Sequence, residues 1–227
     1  MKLSLSDQAY GLIKNDIITC ALEPGQQIVQ HQLAQKYDLG TTPIREALQR
    51  LAQEGLVQPI PRFGYTVSYV TLSDVHEIYE FRLILEPAAA RLAARQGTDE
   101  ELGEIARFAE LTYTYPAGES HVHNDDFHRS IALAAGNRRL HEVIFRLIDE
   151  MTRVFHLGLD LSASIGEMRN EHLTLAQALT SRNADQAEEL MYNQILRSKE
   201  RVLEALMRRL GALGQTVPVN LSGGPSP

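Results

Sequence analysis

Only one cysteine, Cys20, occurs in 227 residues, which excludes an internal disulfide framework. It falls on the apolar face of an expected helix and reads as a packed thiol rather than a reactive one. No stretch approaches the roughly 20 apolar residues of a membrane-spanning helix. The N-terminus MKLSLSDQAYGLIKNDIITC lacks a basic segment followed by an apolar run, so no secretory signal is read and a cytoplasmic protein is expected. Basic charge is not in excess either: the formal net charge is −7. The deficit is local, since residues 1–70 hold six Lys/Arg and six Asp/Glu, and the remainder holds sixteen and twenty-three. Phosphate contacts are local and are screened within about 10 Å at ordinary salt, so an acidic C-terminal part does not exclude DNA binding by a neutral N-terminal part.

What is there divides into two patterns, and the length allows two domains. Leu5 to Leu22 has helical periodicity through Ala9, Leu12, Ile13, Ile17 and Cys20, and Glu23-Pro24-Gly25 stops it. A short helix, HQLAQKYDL, and a longer one, TTPIREALQRLAQEG, are separated only by Asp38-Leu39-Gly40, the spacing of a helix-turn-helix. Two β-prone runs follow, Leu56 to Ile60 and Tyr65 to Val70, joined through Pro61 to Gly64 as a hairpin wing. From Thr71 onward strand signals all but vanish, and helical periodicity recurs over 72–96, 98–113, 119–135, 137–159, 162–181 and 184–210. Breaks fall at Gly97, Tyr115-Pro116, Gly136-Asn137, Asp160 to Ser162 and Ser181 to Asn183. The expected fold is mainly α: a winged helix-turn-helix over 1–70, an all-α bundle over 71–212, and a Gly/Pro/Ser-rich disordered tail over 213–227.

In the longer helix of the N-terminal module, Ile44, Ala47, Leu48 and Leu51 form the inward face at 3/4 spacing. Thr41, Thr42, Arg45 and Gln49 are left facing out, where Arg45 suits a bidentate contact to guanine and the threonines suit phosphate or a thymine methyl. Pro43 is tolerated in the first turn because its missing N–H would be unpaired there. The segment LEPGQQIVQHQLAQKYDLGTTPIREALQRLAQEGLVQPIPRFGYTV resembles the winged helix of the GntR family of bacterial transcription regulators. The resemblance implies DNA contacts at Thr41, Thr42 and Arg45, with the wing tip of Arg62, Phe63 and Gly64 entering the minor groove. This chain has Gly40-Thr41 where the family commonly has Ser-Arg, which removes one usual arginine contact. It also has Asp38 at the family's turn glycine, a residue able to adopt the left-handed conformation at some cost.

In the helical part, a wheel at 100° per residue separates inward from outward polar groups. ESHVHNDDFHRS, Glu119 to Ser130, is dense in metal-ligand types, yet only Asn124 and His128 lie on the stripe of Phe127, Ile131 and Ala135. Asp126 points nearly opposite, Asp125 is about 120° away, and His121 and His123 are marginal. Arg82 and Glu86 lie on the stripe of Val75, Ile78, Tyr79, Ala89 and Ala93. His172 falls among Ile165, Met168, Leu175, Ala176 and Leu179, and Gln194 among Ala187, Leu190, Met191 and Ala205. Such inward groups either satisfy one another, with Arg82 and Glu86 as an i,i+4 ion pair, or line a polar ligand cavity.

VHEIYEFRLILEPAAARLAA, FHRSIALAAGN and RNEHLTLAQAL resemble the ligand-sensing FCD domain of the FadR branch of GntR regulators, and six helices match its VanR-like subgroup. The resemblance implies a divalent metal held by an Asp and three His, with an arginine taking the carboxylate of an organic acid. The matching positions are Asn124, His128, His172 and Gln194, with Arg82 for the acid. Only two remain histidine, and neutral amide oxygens are poorer donors for Zn²⁺, so a zinc-like ion is expected to be weakly held or absent. The sequence therefore reads as a homodimeric repressor that binds double-stranded operator DNA and a small organic acid, with no membrane partner. A metal-responsive regulator without organic ligand and a metal-dependent hydrolase are the alternatives.

Overall fold

The computed structural model describes residues 3–111, 120–157, 159 and 164–212, which fall into two compact units divided between Thr71 and Leu72. In the first, α1 (Leu5–Ile18) is capped by the Ser4 hydroxyl, which accepts from the Asp7 amide at 3.0 Å, and it buries Ala9, Ile13 and Ile17. The helix stops short of the expected Leu22, because the chain turns at Thr19 and Cys20 adopts a left-handed φ of 55°. Cys20 is thus half-buried in a turn and not on a helix face. Leu12, about 100° from Ile13 around the helix, is exposed rather than part of the apolar stripe.

Next come β1 (Gln27–Ile28), α2 (Gln30–Tyr37), α3 (Thr41–Gln53), β2 (Val57–Ile60) and β3 (Gly64–Val67). Asp38 makes the turn between α2 and α3 in the left-handed conformation, φ 52° and ψ 46°. The sheet has order β1-β3-β2 and is antiparallel, with Val57 opposite Val67 and Ile28 opposite Tyr65. Strand β1 was not anticipated, since two residues carry no periodicity. Its presence explains Gly64, which begins a strand rather than completing the turn. At φ 98°, a Cβ there would lie 2.8 Å from the Ile28 carbonyl oxygen. Ile13, Ile17, Ile44, Leu48, Leu51, Val57 and Val67 close one core between the helices and the sheet. Asp7 and Arg50, 2.8 Å apart, and the Tyr10 hydroxyl donating to Glu54 at 2.8 Å, tie α1 to α3 at the surface.

The second unit comprises α4 (Leu72–Gln96), α5 (Asp99–Leu111), α6 (Ser120–Ala134), α7 (Arg138–His156), α8 (Ile165–Thr180) and α9 (Ala184–Ala212). Helix α4 is central and touches α6, α7, α8 and α9. Its buried Ala89, Ala90, Ala93 and Ala94 let neighbouring helices approach closely. Helix α9 runs antiparallel to it: Tyr79 and Ser198 share a hydrogen bond of 2.8 Å at one end, and Arg91 pairs with Asp185 at 2.9 Å and with Glu188 at the other. The turn into α7 is set by Gly136 at φ 64° and by Asn137, whose side chain accepts from the Leu140 amide at 3.2 Å. The expected breaks at Tyr115-Pro116 and Asp160 to Ser162, and the tail 213–227, lie outside the described residues. No helix among the described residues is long and apolar enough to cross a membrane.

Candidate functional site

Two groups of side chains stand out, one in each unit. In the first unit, α3 buries Ile44, Ala47, Leu48 and Leu51 and exposes Thr41, Thr42, Arg45 and Gln49. Gly40 precedes the helix in extended backbone with no side-chain cap, so the N–H groups of its first turn are left for an external acceptor. Three acidic side chains of the unit are paired: Asp7 with Arg50, Asp16 with Lys36 and Tyr37, and Glu54 with Lys14 and Tyr10. Arg45 and Arg62 make no ion pair among the described residues. A unit of zero net charge therefore presents free cations on one helix face and on the wing.

The wing tip is strained as well as exposed. The Phe63 amide donates to the Ile60 carbonyl at 3.0 Å, closing a turn with Pro61 and Arg62 at its centre. Arg62 sits at φ 69°, where a glycine is usual, at a cost of about 1–2 kcal/mol. Phe63 is 67% exposed. A bulky cationic residue is thus held in a glycine conformation at a solvent-facing tip.

In the second unit, Arg82 from α4, Asn124 and His128 from α6, His172 from α8 and Gln194 from α9 all line one pocket. Four of them are buried and Asn124 is half-buried. The pocket also takes in Phe155, Met168, Glu171, Ser198 and Arg201 and encloses about 20 Å³, room for a water molecule or two. At its base Glu86 is held from two sides, by Arg82 Nε at 2.5 Å and His128 Nδ1 at 2.7 Å. Burial alone would raise the Glu86 carboxyl, but Arg82 and His128 overcome it and hold it at about 2. His172 stacks on Phe127 with ring centroids 4.2 Å apart, and burial, then the nearby His128, Arg201 and Arg82, push it well below its ordinary range. It is neutral at pH 7, able to donate from one nitrogen and accept at the other.

Four charged side chains in or around the site were not legible in advance. Arg201 and Glu171 form a two-pronged pair at 2.7 and 3.0 Å on the pocket wall, and Arg197 adds a contact to Glu171 at 2.8 Å. Asp125, expected well off the inward stripe, is half-buried and accepts from the Thr152 hydroxyl, with its carboxyl raised by burial. The helix next to it supplies the partner that the wheel of a single helix cannot see. The side chains of His121 and His123 lie outside the described residues.

The donor set does not fit a zinc site. It offers two imidazoles and two amide oxygens, and no three His, Cys, Asp or Glu side chains gather at ligand spacing among the described residues. The Gln194 Oε1 atom is buried with no hydrogen-bond partner among the described residues, a cost of about 1–3 kcal/mol unless something else meets it. Because the folded carboxyl of Glu86 is depressed from 4.5 to about 2, its contribution to stability is complete above the unfolded value and is lost as pH falls from 4.5 to 2. Glu86→Gln strands Arg82 and should cost about 3–5 kcal/mol at pH 7. Urea titrations should show that difference shrinking at pH 3; a difference independent of pH would contradict an ionised Glu86.

Comparison with known proteins agrees with both units. Residues 5–67 match the family model for bacterial regulatory proteins of the gntR family, and residues 77–197 match that of the FCD domain. The HTH-type transcriptional repressor GlaR of Escherichia coli is 29% identical over 199 residues, covering 82% of this chain and 90% of its own. The Nta operon transcriptional regulator of Aminobacter aminovorans is 27% identical over 186 residues, 81% and 87% of the two chains. The structure of E. coli McbR/YncC shares the fold with a TM-score of 0.80, at 23% identity over 90% of this chain and all of that one. These are regulators rather than enzymes, which sets the hydrolase alternative aside. The chain belongs to the GntR family of bacterial transcription regulators, in the group whose second domain is FCD, and is a DNA-binding transcription regulator.

Proposed function

We propose that this regulator is a cytoplasmic homodimeric repressor whose helical unit binds a small carboxylate-bearing metabolite without a tightly held metal ion. The observation that carries this reading is the convergence of Arg82, Asn124, His128, His172 and Gln194 from four helices on one pocket. Arg82 spends its Nε on Glu86 and keeps further N–H donors for a second carboxylate. The Asn124 and Gln194 amides and neutral His172 supply hydrogen bonds that fix orientation. A pocket of about 20 Å³ must widen to admit such an acid, so binding selects a conformation in which the lining side chains have moved.

On the DNA side, Arg45 reads a base edge, Thr41, Thr42 and the first-turn N–H groups meet phosphate, and Gln49 is in reach of a base. The wing of Arg62, Phe63 and Gly64 enters the minor groove. The exposure of these side chains and the strain at Arg62 support that assignment. A dimer would present two such modules to a pseudo-palindromic operator. The metal-responsive alternative keeps the same DNA-binding half and replaces the acid by an ion at His128, His172 and Asn124.

Arg45→Ala should abolish specific operator footprinting while leaving the protein folded; an unchanged footprint would remove the base-reading role. In the pocket, Gln194→Leu replaces an unsatisfied buried amide by an apolar group of similar size. It should leave the melting temperature unchanged or raise it by a few degrees while eliminating stabilisation by small acids. Thermal-shift screening of acids with and without EDTA reads this directly. Stabilisation that appears only when metal is present, or by metal alone, would favour the metal-responsive alternative.

A further inference from the structure

The pocket holds a second arginine besides Arg82. On α9, Gln194, Ser198 and Arg201 recur at 4-3 spacing, and all three line the pocket. Arg201 is already engaged: its two terminal nitrogens donate to the two carboxylate oxygens of Glu171 on α8, at 3.0 and 2.7 Å. This two-pronged geometry is the one in which a guanidinium best takes a carboxylate. Both side chains are largely withdrawn from water, Arg201 13% and Glu171 9% exposed. An anion therefore sits on Arg201, and it belongs to the protein.

Glu171 is also the side chain that two spaces share. It lines the pocket of about 20 Å³, and with Asn170, Thr174, Leu190 and Arg197 it lines an open groove of about 450 Å³ between α8 and α9. Arg197, one helical turn before Arg201, brings its Nε to 2.8 Å from the same Oε1 atom that Arg201 uses. A swing of Glu171 toward the groove gives up Arg201 and keeps Arg197, so no buried carboxylate is stranded. The charges allow the exchange. Arg82 is matched by Glu86, whereas Glu171 is shared between two arginines. Glu167 stands 3.9 Å from Arg201 but is 76% exposed and adds little.

We infer that Arg201 is a second anion subsite of the pocket, masked by Glu171, and that the acid bound there is a dicarboxylate. One of its carboxylates meets Arg82, and the other displaces Glu171 from Arg201 into the groove. The inference rests on the acid-binding reading above and names the class of acid. A monocarboxylate leaves Glu171 in place and gains only the contacts at Arg82. A dicarboxylate gains a second charge-assisted pair and moves the wall, which widens the space. Competition with Glu171 weakens its apparent affinity, so removal of that competitor strengthens binding.

Calorimetric titration of the full chain with linear dicarboxylates from succinate to adipate, and with the monomethyl ester of each, tests the subsite. The tightest diacid should bind the wild type at least about 10-fold better than its ester. Arg201→Met should bring that ratio to within about 3-fold, and Glu171→Gln should tighten the diacid about 10-fold with less effect on the ester. Circular dichroism establishes that each variant is folded; should Arg201→Met not fold, Arg201→Gln takes its place with the same expectation. Equal affinity for diacid and ester, a preference that survives loss of Arg201, or a diacid not tightened by Glu171→Gln would overturn the subsite. Binding of monocarboxylates alone would overturn it while leaving the acid-binding pocket intact, whereas binding of no acid at all would remove both.

Discussion

A carboxylate cannot be buried without partners, and the helical unit is arranged around that constraint at Glu86. Removing the charge from water costs several kcal/mol, recovered only if cations stand close on well-directed hydrogen bonds. Arg82 one turn away supplies the guanidinium, and His128 of α6 brings its Nδ1 to 2.7 Å from the other carboxylate oxygen. Once those contacts are made, α4 and α6 are locked in register, His128 is oriented by its Nδ1 contact, and the remaining donors of Arg82 are fixed in direction. The pocket chemistry follows: a cationic arginine, neutral His172 and two amides gather around one small space.

The same economy of charge explains how a protein of net charge −7 carries a DNA-binding surface. In the first unit Asp7, Asp16 and Glu54 are paired with Arg50, Lys36 and Lys14, and Arg45 and Arg62 make no ion pair among the described residues. In the proposed assignment specific recognition rests on a few placed groups rather than on a broad basic field. Its affinity should accordingly be more modest in salt dependence than that of a strongly basic protein.

Much of this was legible in the residues. Long periodic segments located α3 and all six helices of the second unit, because 3.6-residue periodicity over ten or more residues is hard to mistake. The wheel placed Arg82, Glu86, His128, His172 and Gln194 inward because each sits among apolar neighbours on its own helix. What was missed depends on neighbours remote in sequence. Strand β1 exists only through its pairing with β3, α1 ends early at a left-handed Cys20, and Asp125 is drawn in by Thr152 of α7. Arg201 and Glu171 reach the pocket from the edges of their stripes, where a long side chain bends inward and a wheel cannot follow it.

The proposed regulation joins the two units through one thermodynamic requirement: an acid that releases operator must bind the operator-bound form less tightly. Linkage makes the two effects equal in magnitude. The most direct test is calorimetric titration of an acid found by thermal shift into EDTA-treated protein, alone and saturated with operator. The account predicts an affinity about 5–150-fold weaker in the presence of operator. Equal affinity in the two states would contradict control of DNA binding from the pocket.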